Sequence, residues 1–212
     1  MARYKNGILG AFSGKVGAVI GASWRGIDYM RGIPKISKKP PTPKQLAQRM
    51  KMSMFRGFLL GLDEIIEICF QNYDQTSAMN GAISYNMTNS VSGVYPEKCI
   101  DFANFVFSKG DLQGSWAPQA TSTETDTVNF SWTNGPFNKL RAAEDQVLLA
   151  IYSQVEKGFV FSTIAGTRGL GVAKLNVPKE FSNKTVHCYL SFYSSELGFA
   201  STNEYLGEVV IS

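Results

Sequence analysis

Few residues in this chain have the types and spacing that chemistry requires, and one short run resembles a phosphate-binding loop. The run Gly10-Ala11-Phe12-Ser13-Gly14-Lys15 places a lysine after two glycines. A P-loop needs four residues between its glycines, and a Ser or Thr after the lysine to hold Mg²⁺. Here three residues separate Gly10 from Gly14, and Val16 follows Lys15. Nucleotide binding is therefore not predicted.

The sequence carries no recognisable catalytic or metal-binding motif. Its single histidine, His187, alternates with apolar residues and is expected to face outward from a strand, with no nucleophile motif nearby. The three cysteines have neither a CxxC motif nor zinc-ligand spacing, so we expect small buried apolar side chains at Cys69, Cys99 and Cys188. The prediction is a protein that is not an enzyme and has no catalytic residue, metal or cofactor.

The net charge of +4 conceals a strong division of charge along the chain. Residues 1–56 hold twelve lysines and arginines but one acid, Asp28, which gives a net charge of +11. The remaining residues hold nine bases and sixteen acids, a net charge of −7. A basic segment of this kind can neutralise nucleic-acid phosphates, dock on the acidic part of a neighbouring copy, or remain a solvated tail.

The solvated tail is the weakest of these interpretations, because large apolar residues lie between the glycines of residues 1–41. Residues 16–31 are predicted to be extended, as two short strands with a bend near Gly21. The residues predicted to make assembly contacts are Val16, Val19, Ile20, Trp24, Ile27, Tyr29 and Met30. The residues predicted to contact phosphates, with nucleic acid as the partner, are Lys15, Arg25, Arg31, Lys35, Lys38, Lys39, Lys44, Arg49 and Lys51.

A helical segment is predicted after a stiff, proline-rich basic linker over residues 34–43. Thr42 can cap the first helix and Pro43 suits its first turn. Bases occupy the N-terminal half of this helix and acids its C-terminal half, which opposes the helix dipole. Either the helix breaks near Gly57 or Gly61, or an anionic partner neutralises the basic half. A further helix is predicted to begin at a Thr76 or Ser77 cap and to end near Gly93.

From about residue 102 the hydrophobic period changes to two, which indicates β-strands. Residues 105–107 are predicted to be a strand, and the Ser-, Thr- and Pro-rich residues 114–127 a loop. Further strands are predicted over residues 128–133, 146–154, 158–163, 171–177, 185–194 and 204–211. Their spacing is typical of an all-β sandwich.

Two strands of this region resemble those of fibronectin type III and immunoglobulin-like domains. Val128-Asn129-Phe130-Ser131-Trp132 is similar to the second strand of type III modules, where a core tryptophan lies. Tyr189-Leu190-Ser191-Phe192-Tyr193 is similar to the penultimate strand. The resemblance covers residues 128–212 and implies a fold but no function.

A second resemblance extends over nearly the whole chain. Asn6-Gly7-Ile8-Leu9-Gly10, Phe12-Ser13-Gly14-Lys15-Val16-Gly17 and Trp24-Arg25-Gly26-Ile27-Asp28-Tyr29 resemble the opening of an uncharacterised family from Bacteroidetes bacteria and their phages. Thr42-Pro43-Lys44-Gln45-Leu46-Ala47-Gln48-Arg49 and Phe107-Ser108-Lys109-Gly110-Asp111-Leu112 also resemble it. The resemblance implies a bacterial or phage source and no particular chemistry.

Together these observations predict an α+β protein with three regions. They are a basic extended arm (1–41), a helical segment (42–100) and a fibronectin III-like or immunoglobulin-like sandwich (101–212). We expect a structural or interaction protein that docks through its arm on itself or on other assembly proteins, plausibly in a phage particle. The alternative is a nucleic-acid-binding protein, and a third possibility is sugar or protein adhesion by the sandwich. No membrane span is expected, and the expected location is the bacterial cytoplasm or a virion.

Overall fold

The computed structural model describes residues 3–4, 10–24, 26–35, 39–71 and 77–212. The chain divides into two compact units, Met1–Thr42 and Pro43–Ser212, which we call the arm and the body. The predicted boundary at residue 100 lies inside the body, because helices and strands there share one hydrophobic core.

The arm is a four-stranded antiparallel sheet in the order β1-β2-β3-β4. Its strands are β1 (Arg3–Tyr4), β2 (Phe12–Val16), β3 (Val19–Trp24) and β4 (Ile27–Gly32). Val16 pairs with Val19 and Trp24 with Ile27, so tight hairpins join β2 to β3 and β3 to β4. The expected bend near Gly21 is wrong, because Gly21 lies inside β3 and the chain reverses beside Gly17 (φ +54°) and Gly26 (φ +79°).

Among the described residues, three α-helices follow the arm: α1 (Pro43–Leu59), α2 (Asp63–Cys69) and α3 (Ala78–Asn89). A single 3-10 turn, Leu60–Leu62, separates α1 from α2. The predicted break near Gly61 is therefore confirmed, and it places Asp63 and Glu64 in the first turn of α2, where the helix dipole favours acids. Ser77 caps α3 as predicted, since its Oγ accepts from Asn80 N at 3.3 Å. The helix ends at Asn89, before the predicted Gly93.

The rest of the body is mainly antiparallel β-structure. Its strands are β5 (Val91–Ser92), β6 (Cys99–Ile100), β7 (Trp116–Glu124), β8 (Thr127–Thr133), β9 (Gln146–Ser153), β10 (Gly158–Ser162), β11 (Val172–Asn176), β12 (Thr185–Ser194), β13 (Phe199–Ala200) and β14 (Glu204–Val210). One sheet has the order β11-β8-β7. A second has β10-β9-β12, with both β13 and β14 paired to β12. The protein is thus mixed, and most of its regular structure is antiparallel sheet, as the sequence predicts.

The strand β9 shows how the body is layered. Val147, Leu149 and Ile151 point into a core shared with the three-stranded sheet. Leu148 and Tyr152 point into a second core shared with the helices. Because both faces are covered, β9 is apolar along nearly its whole length and lacks the alternation that a half-exposed strand shows.

Two predictions for the segment before β8 are wrong. Residues 114–127 contain the nine-residue strand β7, which pairs with β8 despite its Ser- and Thr-rich composition. Residues 105–108 are buried but are not a strand. Two buried asparagines supply their hydrogen bonds instead. Asn86 accepts from Val106 N at 2.9 Å and donates to Val106 O at 2.6 Å. Asn203 accepts from Phe107 N at 2.9 Å and donates to Phe105 O at 3.0 Å.

These two side chains connect the layers of the body. Asn86 belongs to α3, whereas Asn203 immediately precedes β14 in the larger sheet. Each satisfies backbone groups that would otherwise be buried without partners, at a cost of roughly 1–3 kcal/mol per group. The irregular segment 105–108 is therefore held from the helical side and from the sheet side at once.

Candidate interaction surface

The hairpin of β3 and β4 presents several of the arm's apolar residues on one defined face. Cross-strand partners in an antiparallel pair lie on the same side of the sheet. The pairs Trp24–Ile27, Ala22–Tyr29, Ile20–Arg31 and Ile20–Lys15 therefore place seven side chains on one side. We call this the hairpin face; it comprises Lys15, Ile20, Ala22, Trp24, Ile27, Tyr29 and Arg31.

Large apolar groups of the hairpin face are open. Trp24 is 50% exposed, Ile27 66% and Tyr29 45%, whereas Ile20 is half-buried. Lys15 and Arg31, both exposed and both paired with Ile20, give this face a basic margin. The remaining predicted contact residues, Val16, Val19 and Met30, lie on the opposite side and are also exposed.

Two glycines shape the opposite side of the arm sheet. Gly14 has φ +110°, a conformation that side chains disfavour. Gly14 pairs with Gly21, which is buried beneath Phe12: a Cβ on Gly21 would overlap the Phe12 carbonyl oxygen and lie 2.7 Å from its ring. The strand β2 therefore crosses closely over β3 at this point, which requires glycine at position 21.

The strand β4 also offers backbone hydrogen-bonding groups. Within the described ranges, it pairs with β3 alone. Ile33 N donates to Ala18 O at 3.0 Å, so the alternate residues 31, 29 and 27 direct their backbone groups toward β3. Asp28, Met30 and Gly32 therefore direct theirs toward the free edge, a geometry that can accept another strand.

The residues predicted to contact phosphates do not form one surface that the structure defines. Arg25 and Lys38 lie outside the described residues. In the arm, Lys15, Arg31, Lys35 and Lys39 are exposed. In the body, Lys44 and Arg49 are exposed on α1, but they lie five positions apart, which turns the helix by about 140°, so they point in different directions.

Lys51 has a structural role that the sequence did not indicate. Its Nζ donates to the backbone oxygen of Met87 at 3.1 Å, near the end of α3, where the last carbonyls lack helical partners. This contact lies in a groove of about 640 Å³ between α1 and α3, lined also by Gln48, Asn80 and Ser84. A cation at the C-terminal end of α3 stabilises the helix dipole.

The prediction that His187 faces outward is wrong. It is 3% exposed, because the segment before β7 covers this side of β12. Its ring stacks on Phe102 with centroids 4.0 Å apart, and its nitrogens lie 3.1 Å from Gln154 Nε2 and 2.9 Å from Tyr205 Oη. Burial lowers the pKa of His187, and the Glu208 carboxylate, 3.8 Å from Nδ1, offsets part of that change.

The cysteines follow the prediction in part. Cys69 and Cys188 are buried, and burial raises the pKa of each thiol to about 12, which suppresses the nucleophilic thiolate. Cys99 is exposed instead, with its Sγ 2.9 Å from Ser92 Oγ. Among the described residues, no group of three His, Cys, Asp or Glu side chains is placed to hold a metal ion.

A buried arginine is the main polar feature that the sequence did not reveal. Arg168 is fully buried, with its guanidinium 3.9 Å from the Phe192 ring centroid. Its Nη2 donates to Gln113 O at 2.8 Å, and Asp145 Oδ2 lies 3.2 Å from its Nε. Burial lowers the pKa of Arg168 to about 10, against the opposing effect of Asp145. This ion pair joins the loops at one end of the sheets.

One family model matches residues of both the arm and the body. A model described as "Family of unknown function (DUF6266)" matches residues 11–207. The chain belongs to the DUF6266 family. The match covers the hairpin of β3 and β4 as well as nearly all of the body, so it includes residues of both units. A search of curated proteins gave no match for this DUF6266 chain. No helix in the described ranges is long and apolar enough to cross a bilayer.

Proposed function

We propose that this DUF6266 protein is a non-enzymatic assembly component whose arm docks on copies of itself or on other assembly proteins. One observation carries the proposal: the hairpin face exposes Trp24, Ile27 and Tyr29 together, with a basic margin. Soluble monomers rarely expose contiguous large apolar groups without a binding role. Full burial of one such side chain contributes about 1.5–3 kcal/mol, so three can supply a substantial part of a binding energy.

The body supports this proposal as a stable platform. Its strand order, β11-β8-β7 facing β10-β9-β12-β14, is the order that we expect of a fibronectin III-like sandwich. The core residue Trp132 lies on β8, as the resemblance implies, and packs edge-on against Phe192 at 5.6 Å. Modules of this kind commonly serve as spacers or adhesive units. A place in a phage particle, or in an assembly in the bacterial cytoplasm, fits such a protein.

The proposal is tested by removing the apolar groups of the hairpin face. Ile27→Ser with Tyr29→Ser lowers the apolar area without altering charge. We expect the wild-type chain to form oligomers at micromolar concentration by multi-angle light scattering. We expect the double variant to require on the order of 100-fold higher concentration, since losing two buried side chains removes about 3 kcal/mol or more.

A matched control distinguishes a specific surface from general stickiness. Val155 and Leu170 are exposed to a similar degree on the body, so Val155→Ser with Leu170→Ser removes comparable apolar area elsewhere. The control pair should associate like the wild type. A wild-type chain that stays monomeric up to high micromolar concentration would falsify self-association, and another assembly protein or nucleic acid would then be the occupant of the hairpin face to test.

Nucleic acid is the second candidate, and one observation favours it. Trp24 and Tyr29 share the hairpin face with Lys15 and Arg31, so two aromatic rings that could stack on bases lie beside two cations that could bind phosphates. Binding to single-stranded DNA or RNA should then weaken steeply between about 50 and 200 mM salt. Binding that is absent or insensitive to salt rejects this candidate.

A further inference from the structure

A second surface, on the body, has chemistry complementary to that of the arm. Asp63, Glu64 and Glu67 of α2 are all exposed, and none forms an ion pair among the described residues. Ile68, on the same helix, is 50% exposed. We call this helix and the two clefts beside it the α2 surface.

The two clefts of the α2 surface are large enough for aromatic or aliphatic side chains. One, of about 330 Å³, is lined by Asp63, Glu67 and apolar groups that include Ile66 and Met79. The other, of about 260 Å³, is lined by Glu64, Ile68, Leu148, Ile164 and Tyr193 among others. A dry cavity of roughly 150 Å³ already accommodates benzene. Each cleft thus combines apolar walls with a carboxylate at its rim.

The intrachain role of α2 explains only part of this surface. Asp63 and Glu64 stabilise the helix dipole from the first turn, but Glu67 lies near the C-terminal end, where an acid is unfavourable. Ile164, in the wall of the second cleft, is 73% exposed, so much of its apolar side chain is open to solvent in the isolated chain. An unfavourable acid and exposed isoleucines in one place are typical of a contact surface.

We propose that the α2 surface receives the hairpin face of a second copy of this chain. This inference rests on the proposed function and names the partner and its docking site. Lys15 and Arg31 of one copy meet Asp63 and Glu67 of the next, while Ile27 and Tyr29 enter the clefts. Opposite charge selects the partner and accelerates its association, and apolar burial supplies the affinity.

Charge also selects this pairing over contact between two arms. Residues 1–42 hold eight bases and one acid, a net charge of +7, whereas residues 43–212 hold thirteen bases and sixteen acids, a net charge of −3. Two arms facing each other would bring +7 against +7, which opposes symmetric pairing along the free edge of β4. An arm on a neighbouring body joins different surfaces, so the assembly is head-to-tail and closes as a ring or extends as a filament.

The experiment reverses charge on each surface separately, in the full chain. The arm variant carries Lys15→Glu and Arg31→Glu, and the body variant carries Asp63→Lys and Glu67→Lys. Each alone should associate on the order of 100-fold more weakly than the wild type, because like charges then face each other. An equimolar mixture should regain association, since the acidic arm of one variant fits the basic α2 surface of the other.

Controls separate this inference from the proposed function. Glu67→Lys alone places a cation where the α2 dipole favours it, so weakened association of this variant cannot be attributed to misfolding. Glu144→Lys with Glu180→Lys reverses two exposed acids elsewhere on the body and should leave association unchanged. If the arm variant fails to associate but the body variant and the mixture behave like wild type, the α2 surface is wrong and the proposed function stands. A monomeric wild type overturns both.

Discussion

The arm and the body use similar antiparallel strands but cover them to opposite extents. Every residue of β4 is exposed, whereas every residue of β9 from Val147 to Ser153 is buried. A sheet is stabilised mainly by burial of its apolar face, so the body is expected to fold as a stable unit, and the arm to gain most of its stability from what covers it. The body thus buries its own apolar strands, whereas the arm leaves large apolar side chains exposed.

The comparison is tested most strongly by removing one large side chain from each unit. Phe107 is fully buried and packs edge-on against Tyr189 with ring centroids 5.9 Å apart. Phe107→Ala should lower the free energy of unfolding of the body by about 3–5 kcal/mol. Trp24→Ala removes a half-exposed side chain of the arm and should change the free energy of unfolding of the body by less than about 0.5 kcal/mol. Urea denaturation followed by circular dichroism measures both, and equal effects would show that the arm belongs to the folding unit of the body.

The second prediction concerns the buried asparagine that links the layers of the body. Asn203→Ala leaves Phe107 N and Phe105 O buried without partners, and we expect a loss of about 2–4 kcal/mol. Asn89→Ala, which removes an exposed contact to Tyr85 O, is the control and should cost less than about 0.5 kcal/mol. Thermal unfolding by calorimetry checks both. A small loss in Asn203→Ala would mean that water replaces the side chain and that the link is dispensable.

Local signals account for what the sequence predicted well. The Thr42-Pro43 start of α1, the break near Gly61 and the Ser77 cap each depend on a few neighbouring residues, whose preferences tertiary contacts did not override. The alternation of β8 likewise survives, because one of its faces remains partly open. The apolar residues of the arm were also identified from composition alone, although their division between two faces needed the strand register.

The sequence-based predictions failed where one layer of the body covers another. His187 occupies a position that a two-layer sandwich would expose, but the segment carrying Phe102 lies over it. The acids of α2 were seen as a helix-dipole problem, whereas their place between two clefts depends on residues as distant as Tyr193. Arg168 gave no signal, since its partners Asp145 and Gln113 lie on other loops. Such contacts join residues far apart in sequence, which periodicity does not detect.

The third prediction is that the stability of the body depends on pH through His187. His187 is buried in its neutral form, and its pKa in the folded state is lowered from 6.5. As the pH falls below 6.5, the His187 imidazole takes up a proton in the unfolded chain before it does so in the folded body. Protonation therefore favours the unfolded chain, and the body should lose stability. His187→Gln should reduce that loss between pH 7 and 5. Urea midpoints across this range measure the slope, and equal slopes in the two proteins would mean that His187 does not contribute to it.

The smallest effect on the body, and the most specific one on the arm, is expected from Gly21→Ala. The added Cβ would overlap the Phe12 carbonyl oxygen, so β2 could not cross β3 as it does. The hairpin face would lose its geometry, and self-association should weaken by about tenfold or more, while the unfolding of the body changes by less than about 0.5 kcal/mol.

Gly32→Ala is the control, because a Cβ there meets nothing within 4 Å and Gly32 pairs with Val19 on the same two strands. It should associate like the wild type. If Gly21→Ala also associates normally, the assembly uses exposed apolar residues without regard to the sheet that carries them, and the arm acts as an unstructured adhesive segment. If Gly21→Ala instead destabilises the body, the arm is part of one cooperative fold and the division between platform and hairpin is lost. Weakened association with an unchanged body is the result that keeps the two units distinct, since it separates the surface that binds from the fold that supports it.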